Sequence, residues 1–451
     1  MMKKVVIIGA GPAGLFAAYE LSKLQKYDIS IIDKGKDIDT RRRDELNCGV
    51  GGAGLYSDGK LIYHTRVGTF LWQIVDLDTV INLNNYVKSE LRDNYGIKLR
   101  IRNEEEQMQL ENFRIRAIES GLDFVITSEA HIGTNRLIDF MKKFKSDLIS
   151  KGVSFFTEEE VKKVNNSYLR TSKGRHKFDY LVLAPGRDPG SEWLETIVQR
   201  DFKFKFGDDY IYNATDVGVR VEVKREITDK ITHLQRDMKF YVREAGKYRR
   251  HVRTFCTCPG GKVVMERHGG KGYNLVNGHS EEGDPYQNTN FAFLVTIPFT
   301  KPQVNGNEFA RILARQAYHL SSGKVLLQRF GDLLHWRRSK QEKITEWGTQ
   351  PSLKEAVAGS ISLNYPHEYL ETIIDGLHKL NYVLPGIASN DTLLYSPEIK
   401  QHGLRILTDH CLQTHIPNIY VAGDGPGLTR GIVAAAATGI LAARGIMRKN
   451  S

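Results

Sequence analysis

The stretch from Val5 to Asp33 constrains this chain more than any other. Val5-Val6-Ile7-Ile8 is a continuous apolar run of the kind buried on both faces of a parallel sheet, and it leads into Gly9-Ala10-Gly11-Pro12-Ala13-Gly14. A helical face follows at Leu15, Ala18, Leu21 and Ser22 and ends near Lys26, after which a second apolar strand, Ile29-Ser30-Ile31-Ile32, closes on Asp33. The chemistry of a dinucleotide calls for this order. Gly9 permits the tight turn, Gly11 lets backbone approach a pyrophosphate, Gly14 lets helix pack on strand, and the positive end of the helix dipole meets the phosphates. Asp33 stands nineteen residues beyond Gly14, placed to accept a hydrogen bond from a ribose hydroxyl. Three spaced glycines alone say little; strand, glycines, helix, strand and terminal acid in sequence say much more. Gly9, Gly11, Pro12, Ala13, Gly14 and Asp33 are therefore the expected cofactor contacts, with Lys34 and Arg42 close behind them.

Two later segments narrow the choice of dinucleotide. Phe178 to Leu183 reads as an apolar strand ending in Ala184-Pro185-Gly186. It resembles the Ala-Thr-Gly strand end of FAD-dependent enzymes with two dinucleotide folds, with Pro185 in place of the threonine. Ile416 to Val421 followed by Ala422-Gly423-Asp424-Gly425 resembles the second FAD motif of that superfamily, in which a strand delivers an aspartate to the ribityl and pyrophosphate region. The resemblance makes Ala184, Gly186, Gly423 and Asp424 cofactor contacts. Gly431 and Ile432 then open an Ala-rich helix whose N-terminal amides would favour negative charge on a reduced flavin. Val161, after the strand Val153 to Phe156, is expected to give backbone contacts to the adenine, as the matching segment does in similar enzymes.

Asn47 to Leu61 is dense in glycine and ends in Ser57-Asp58-Gly59-Lys60-Leu61. With Phe255 to Gly261, Gly423 to Gly427, His131 to Thr134 and Gly218 to Glu222, it resembles a widespread prokaryotic family of FAD-dependent dehydrogenases, over essentially the whole chain. That resemblance implies a cofactor but no particular reaction. Glycines at this place allow amides to approach an anionic or planar ligand, so Gly52, Ala53 and Ser57 join the cofactor set, and Asp58, Lys60 and His64 become catalytic candidates. The alternative is that Asp58-Gly59 is a plain turn and Lys60 a surface cation.

The expected fold is α/β: a Rossmann-like FAD-binding domain plus an inserted α+β substrate domain with an antiparallel sheet facing the flavin. The FAD domain is expected to be discontinuous, at 1–64, 125–200 and 396–451; a mostly helical insertion fills 65–124, with helices at Phe70 to Asp76 and Leu83 to Tyr95, and a substrate or cap domain fills 203–395. Asn135 to Ser150 has helical spacing with Thr134 as its cap, and Asn307 to Leu320 is a further helix. No second glycine fingerprint occurs in the middle region, which argues against a dedicated NAD(P)H domain and leaves NAD(P)H as a transient visitor.

Four cysteines, and an apolar strand starting directly after Met1-Met2-Lys3-Lys4, point to a cytoplasmic protein with reduced thiols. The longest apolar run, Gly431 to Ala443, is too short to span a bilayer and reads as a buried helix. Cys256 and Cys258 are redox candidates near the reaction centre or packing residues, and no metal site is expected, since Cys411 has only His410 and His415 nearby. The net charge of +11 and the runs Arg41 to Arg43, Lys247 to Arg250 and Arg337-Arg338 suit either a solvated surface or an anionic partner. The leading expectation is a small-molecule oxidoreductase. An FAD-dependent enzyme acting on RNA and a non-catalytic flavin-binding protein are the alternatives, and the oligomeric state is left open.

Overall fold

The computed structural model describes residues 2–450 except 43, 44, 46, 47, 58, 188, 189, 269–271, 282, 284, 303 and 347. The chain divides into two compact units: 1–100 with 127–213 and 402–451, and 101–126 with 214–401. The segment 65–124 is thus shared between them rather than forming a piece of its own.

In the first unit the apolar runs pair as a five-stranded parallel sheet, in the order Ile419–Val421, Tyr180–Leu183, Lys3–Ile8, Tyr27–Ile32, Ser154–Phe156. The first strand lies in the middle, so its carboxyl end is the point where the chain order reverses, the place where open α/β sheets bind ligands. Helix Pro12–Ser22 and the C-terminal helix Ile432–Arg448 pack against each other, and nearly every residue of both is buried. Their backbones touch where Gly439 meets Ala13: a Cβ added at Gly439 would lie 2.0 Å from the Ala13 carbonyl oxygen. Glu20, buried in the first helix, accepts from Arg444 Nε at 2.8 Å and from the Tyr86 hydroxyl, which ties helix Leu77–Tyr95 to the same layer.

The second unit is built on an eight-stranded, mostly antiparallel sheet in the order Val357–Ala358, Leu326–Arg329, Leu393–Lys400, Thr215–Lys224, Asn288–Ile297, Arg250–Cys258, Phe240–Ala245, Leu122–Phe124. Alternation along Thr215–Lys224 sorts its faces. Val217, Val219, Val221 and Val223 join Phe291, Phe293 and Val295 in an apolar core with helices Gly306–Leu320 and His367–Val383, while Asp216, Arg220 and Glu222 lie on the opposite face.

Several boundaries depart from the sequence reading for local reasons. Asp76 accepts from the Thr79 amide, so it caps a helix that starts at Leu77 instead of ending one, and Leu71–Gln73 is a single 3-10 turn. Asn103 and Glu106 form a capping box that starts the helix Glu104–Glu119. Helix Thr134–Ser150 takes Gly133, at φ +84°, as its N-cap residue in place of Thr134. Among the described residues no helix is long and apolar enough to cross a membrane.

Gly439→Ala should force the two helices apart and lower stability by roughly 1–3 kcal/mol. Urea denaturation of the variant checks this; an unchanged midpoint would mean that the helix contact is not as tight as the backbone approach indicates.

Candidate functional site

The first glycine turn is set by backbone contacts. Gly9 sits at φ +106°, and a Cβ there would lie 2.0 Å from the Ala184 carbonyl oxygen; a Cβ at Gly14 would lie 1.9 Å from the Gly9 oxygen. Gly11 differs: the nearest protein atom to its added Cβ is Gly52 Cα at 3.7 Å. It is the N-cap residue of helix Pro12–Ser22, with no side-chain cap, and Pro12 at the first helical position gives up an N–H that would have had no acceptor in the helix. The amides of Ala13 and Gly14 belong to that open first turn.

Asp33 organises the turns around it. Its Oδ2 accepts from the Ala10 amide at 2.8 Å, and its Oδ1 accepts from the Gly35 and Gly49 amides at 2.8 Å each. A carboxylate offers about four lone-pair directions, so about one is left for a ribose hydroxyl. The loop that follows is held from behind by Arg41, which is only 7% exposed. Arg41 Nη1 donates to the carbonyls of Gly49, Val50 and Gly52 at 3.3, 3.0 and 2.9 Å, and Nε and Nη2 donate to the Glu45 carbonyl. Burial lowers the pKa of this guanidinium, and the five carbonyl contacts take the place of water around it. Gly49, Gly51 and Gly52 all lie at positive φ, and the Gly51 amide donates to the Ala10 carbonyl at 2.9 Å, which lays this loop on the first glycine turn.

The 3-10 turn Gly52–Gly54 connects two helix starts. On one side Gly52 abuts Gly11; on the other, an added Cβ at Gly54 would lie 3.5 Å from the Ile432 side chain, at the beginning of the C-terminal helix. That helix also begins at a glycine, Gly431, with no side-chain cap among the described residues. Gly423, at φ +85°, lets the preceding strand end reach Ala13, and its amide donates to Thr438 Oγ1 at 2.9 Å. Asp424 follows. Burial pushes its carboxyl above the ordinary aspartate range, opposed by Arg187, whose Nε lies 2.7 Å from Oδ2, and by Arg430. Ala184 and Gly186 close the remaining side, with Ala184 donating its amide to Ile8 and Gly186 at φ +74°.

The other candidates fall into three groups. Ser57 Oγ donates to the Gly54 carbonyl and accepts from the Gly59 amide, and so shapes the loop; Lys34, Arg42 and Ala53 are exposed, and Val161 has its carbonyl occupied by the Trp193 indole at 2.7 Å. Asp58 lies outside the described residues. Lys60 is on strand Lys60–Tyr63, opposite His131. His64 Nδ1 accepts from the amides of Arg66 and Val67, which places its proton on Nε2; burial and Arg66 both lower its pKa, so it caps a turn as a neutral imidazole. Cys256 and Cys258 belong to the second unit, on Arg250–Cys258. All four cysteines are free thiols, and Cys411 packs beside Gly445 of the C-terminal helix.

In that second unit the sequence reading missed a buried polar cluster. Arg220 is fully buried; its Nε donates to Asn290 Oδ1 at 2.8 Å, and its Nη2 donates to the Cys256 carbonyl at 2.8 Å and to Cys258 Sγ at 3.4 Å. Glu398, also fully buried, lies 3.8 Å from Nη1 and 2.8 Å from Lys400 Nζ. Glu222 accepts from the Tyr395 hydroxyl at 2.5 Å and from Asn288 at 2.9 Å. The alternation of valines with Asp216, Arg220 and Glu222 was the available signal; that the charged face is buried could not be read from it.

Comparison with known proteins agrees with the cofactor class. Residues 7–63 match the family model of an NAD(P)-binding Rossmann-like domain, residues 214–401 match that of an FAD-dependent protein, C-terminal domain-like, and residues 352–451 match glucose inhibited division protein A. The chain is thus similar, segment by segment, to FAD-dependent proteins and to Rossmann-like nucleotide-binding domains. An uncharacterized protein of Clostridium beijerinckii is 25% identical over 487 residues, spanning 98% of this chain and 80% of that protein. Among solved structures, glycine oxidase from Geobacillus kaustophilus aligns at 13% identity and a TM-score of 0.39, covering 99% of this chain and 95% of that one. L-proline dehydrogenase from P. horikoshii aligns at 13% identity and a TM-score of 0.40, covering 99% and 94%. Likeness at that level carries no functional assignment.

Arg41→Met should leave the buried carbonyls of the glycine loop without donors and destabilise the protein by about 3 kcal/mol, and Arg41→Lys should recover only part of this because an ammonium cannot serve the same fork of acceptors. Chemical denaturation of both variants checks it; a neutral Arg41→Met would show that the loop holds itself.

Proposed function

We propose that this protein is an FAD-dependent oxidoreductase acting on a small organic molecule. The observation that carries the reading is the meeting of two uncapped helix starts, Gly11-Pro12 and Gly431-Ile432, at one glycine turn at the carboxyl end of a parallel sheet. Gly11 fits the reading: the nearest protein atom to a Cβ there is 3.7 Å away, so its backbone is open to approach by a ligand. Open amides and positive dipole ends suit the pyrophosphate of a dinucleotide, and Asp33 keeps about one acceptor direction for a ribose.

When bound, FAD would supply two-electron redox chemistry. The chain's share is to hold and polarise it. Ala13 and Gly14 offer amides, Asp33 and Arg41 fix the loops that face them, Asp424 offers a carboxylate, and the C-terminal helix start favours negative charge. We assign substrate recognition to the second unit, whose sheet carries Arg220, Glu222 and Glu398 on one face. NAD(P)H as a visiting donor and a cytoplasmic setting belong to the same proposal.

The basic runs give little support to an RNA substrate. Arg41 is buried against carbonyls, Lys247, Arg249 and Arg250 lie within 4 Å of Glu371, Glu244 and Glu368 respectively, and Arg337 pairs with Asp332. Carboxylates so placed compete with phosphates for the same donors.

The purified protein should carry FAD or take it up, and FAD at about a hundred times its Kd should add roughly 2.7 kcal/mol of stability. Anaerobic titration with NADH and with NADPH, followed at the flavin absorbance, then sorts the electron donor. A protein that neither binds FAD nor gains stability from it would remove the reading.

A further inference from the structure

The cofactor motifs stop at Gly186 on one strand end and resume at Gly423 on its neighbour. An ion pair joins them, and its cation, Arg187, belongs to neither motif. Arg187 follows Gly186, and its Nε is 2.7 Å from Oδ2 of Asp424, which lies in the turn after strand Ile419–Val421, itself paired in parallel with Tyr180–Leu183. We propose that Arg187 is a cofactor-positioning residue: it fixes the Asp424 carboxylate and neutralises it where the chain receives the doubly negative pyrophosphate of FAD. The inference rests on the FAD reading above and goes beyond it by assigning a role to a side chain outside every fingerprint.

A dinucleotide brings two negative phosphates, and open helix starts and glycine amides answer them with partial charges only. A full negative charge on Asp424 opposes that attraction unless a cation stands beside it. Among the described residues, Arg187 and Arg430 are the charged groups that act on it. They differ in placement. Arg430 is anchored elsewhere, donating from Nε to His402 Nδ1 at 3.0 Å and from its amide to the Gly68 carbonyl. Arg187 contacts the carboxylate directly and is 42% exposed along its side chain, so it can be changed without opening a core. Burial already favours the protonated form of Asp424, and the two arginines work against it.

The pair therefore makes a pH signature that a merely structural arginine would not. With Arg187 present, the charge of the Asp424 carboxylate is compensated and the raising effect of burial is opposed. Without it, burial acts with less opposition: above the shifted pKa an uncompensated carboxylate repels the phosphates, and below that pKa the neutral carboxyl does not.

The test measures the Kd of FAD for the full-length apoprotein by flavin fluorescence quenching, across a range from about pH 8 down to about pH 5. Arg187→Gln should bind FAD roughly tenfold more weakly at the alkaline end, as expected for loss of one charge-assisted contact, and should recover as pH falls. Arg187→Lys should retain most of the affinity, and Arg187→Gln combined with Asp424→Asn should bind with no pH dependence across the range. If wild-type protein binds FAD and Arg187→Gln binds it equally well at every pH, the role of Arg187 is wrong while the FAD reading stands. A uniform loss unrelieved by acid or by Asp424→Asn would also overturn it. If the wild type binds no FAD, both fall.

Discussion

The amides that open a helix have no acceptors inside it, and a protein that leaves two such ends without a side-chain cap must satisfy them with something else. The first unit depends on that constraint. Helices Pro12–Ser22 and Ile432–Arg448 pack backbone to backbone through Gly439 and Ala13, and both start at the same 3-10 turn. Capping either end with a serine or an aspartate would stabilise the helix alone, at the expense of an anion site. The fold keeps the ends open and stiffens what surrounds them instead. Asp33 gathers three amides from three turns, and Arg41 gathers four carbonyls, so the glycine loops hold one shape before any ligand arrives.

The same logic separates two kinds of glycine. Gly9, Gly14 and Gly439 are required by neighbouring protein atoms, within about 2 Å of where a side chain would begin. Gly11 is not. On the proposed reading, its bare Cα leaves room for the dinucleotide to approach the backbone.

Much of the first unit was legible in the sequence because its signals are local. Apolar runs, spaced glycines and strand-terminal acids report directly on a parallel sheet and its turns, and the two-part α/β architecture followed from them. What escaped depends on contacts between distant residues. Arg41 sits in a run of three arginines that reads as surface; only the carbonyls of Gly49 to Gly52, brought over it by the loop, make it a buried post. Asp33 was readable as an acid but not as the junction of three turns. His64 was readable as a catalytic candidate but not as the residue whose ring nitrogen closes the turn that follows it. In the second unit the alternation of valine with charge showed a two-faced strand, yet nothing local told that Arg220, Glu222 and Glu398 would all be buried on the polar side.

The central claim is that one dinucleotide is held by segments from both ends of the chain. Amide hydrogen exchange with and without saturating FAD tests it most directly. New protection is expected in three separate places at once: the turn around Gly11 to Gly14, the loop Gly49 to Gly54, and the stretch from Gly423 to the first turn of the C-terminal helix. Protection confined to the N-terminal turn, with the C-terminal helix start exchanging as freely as before, would contradict it.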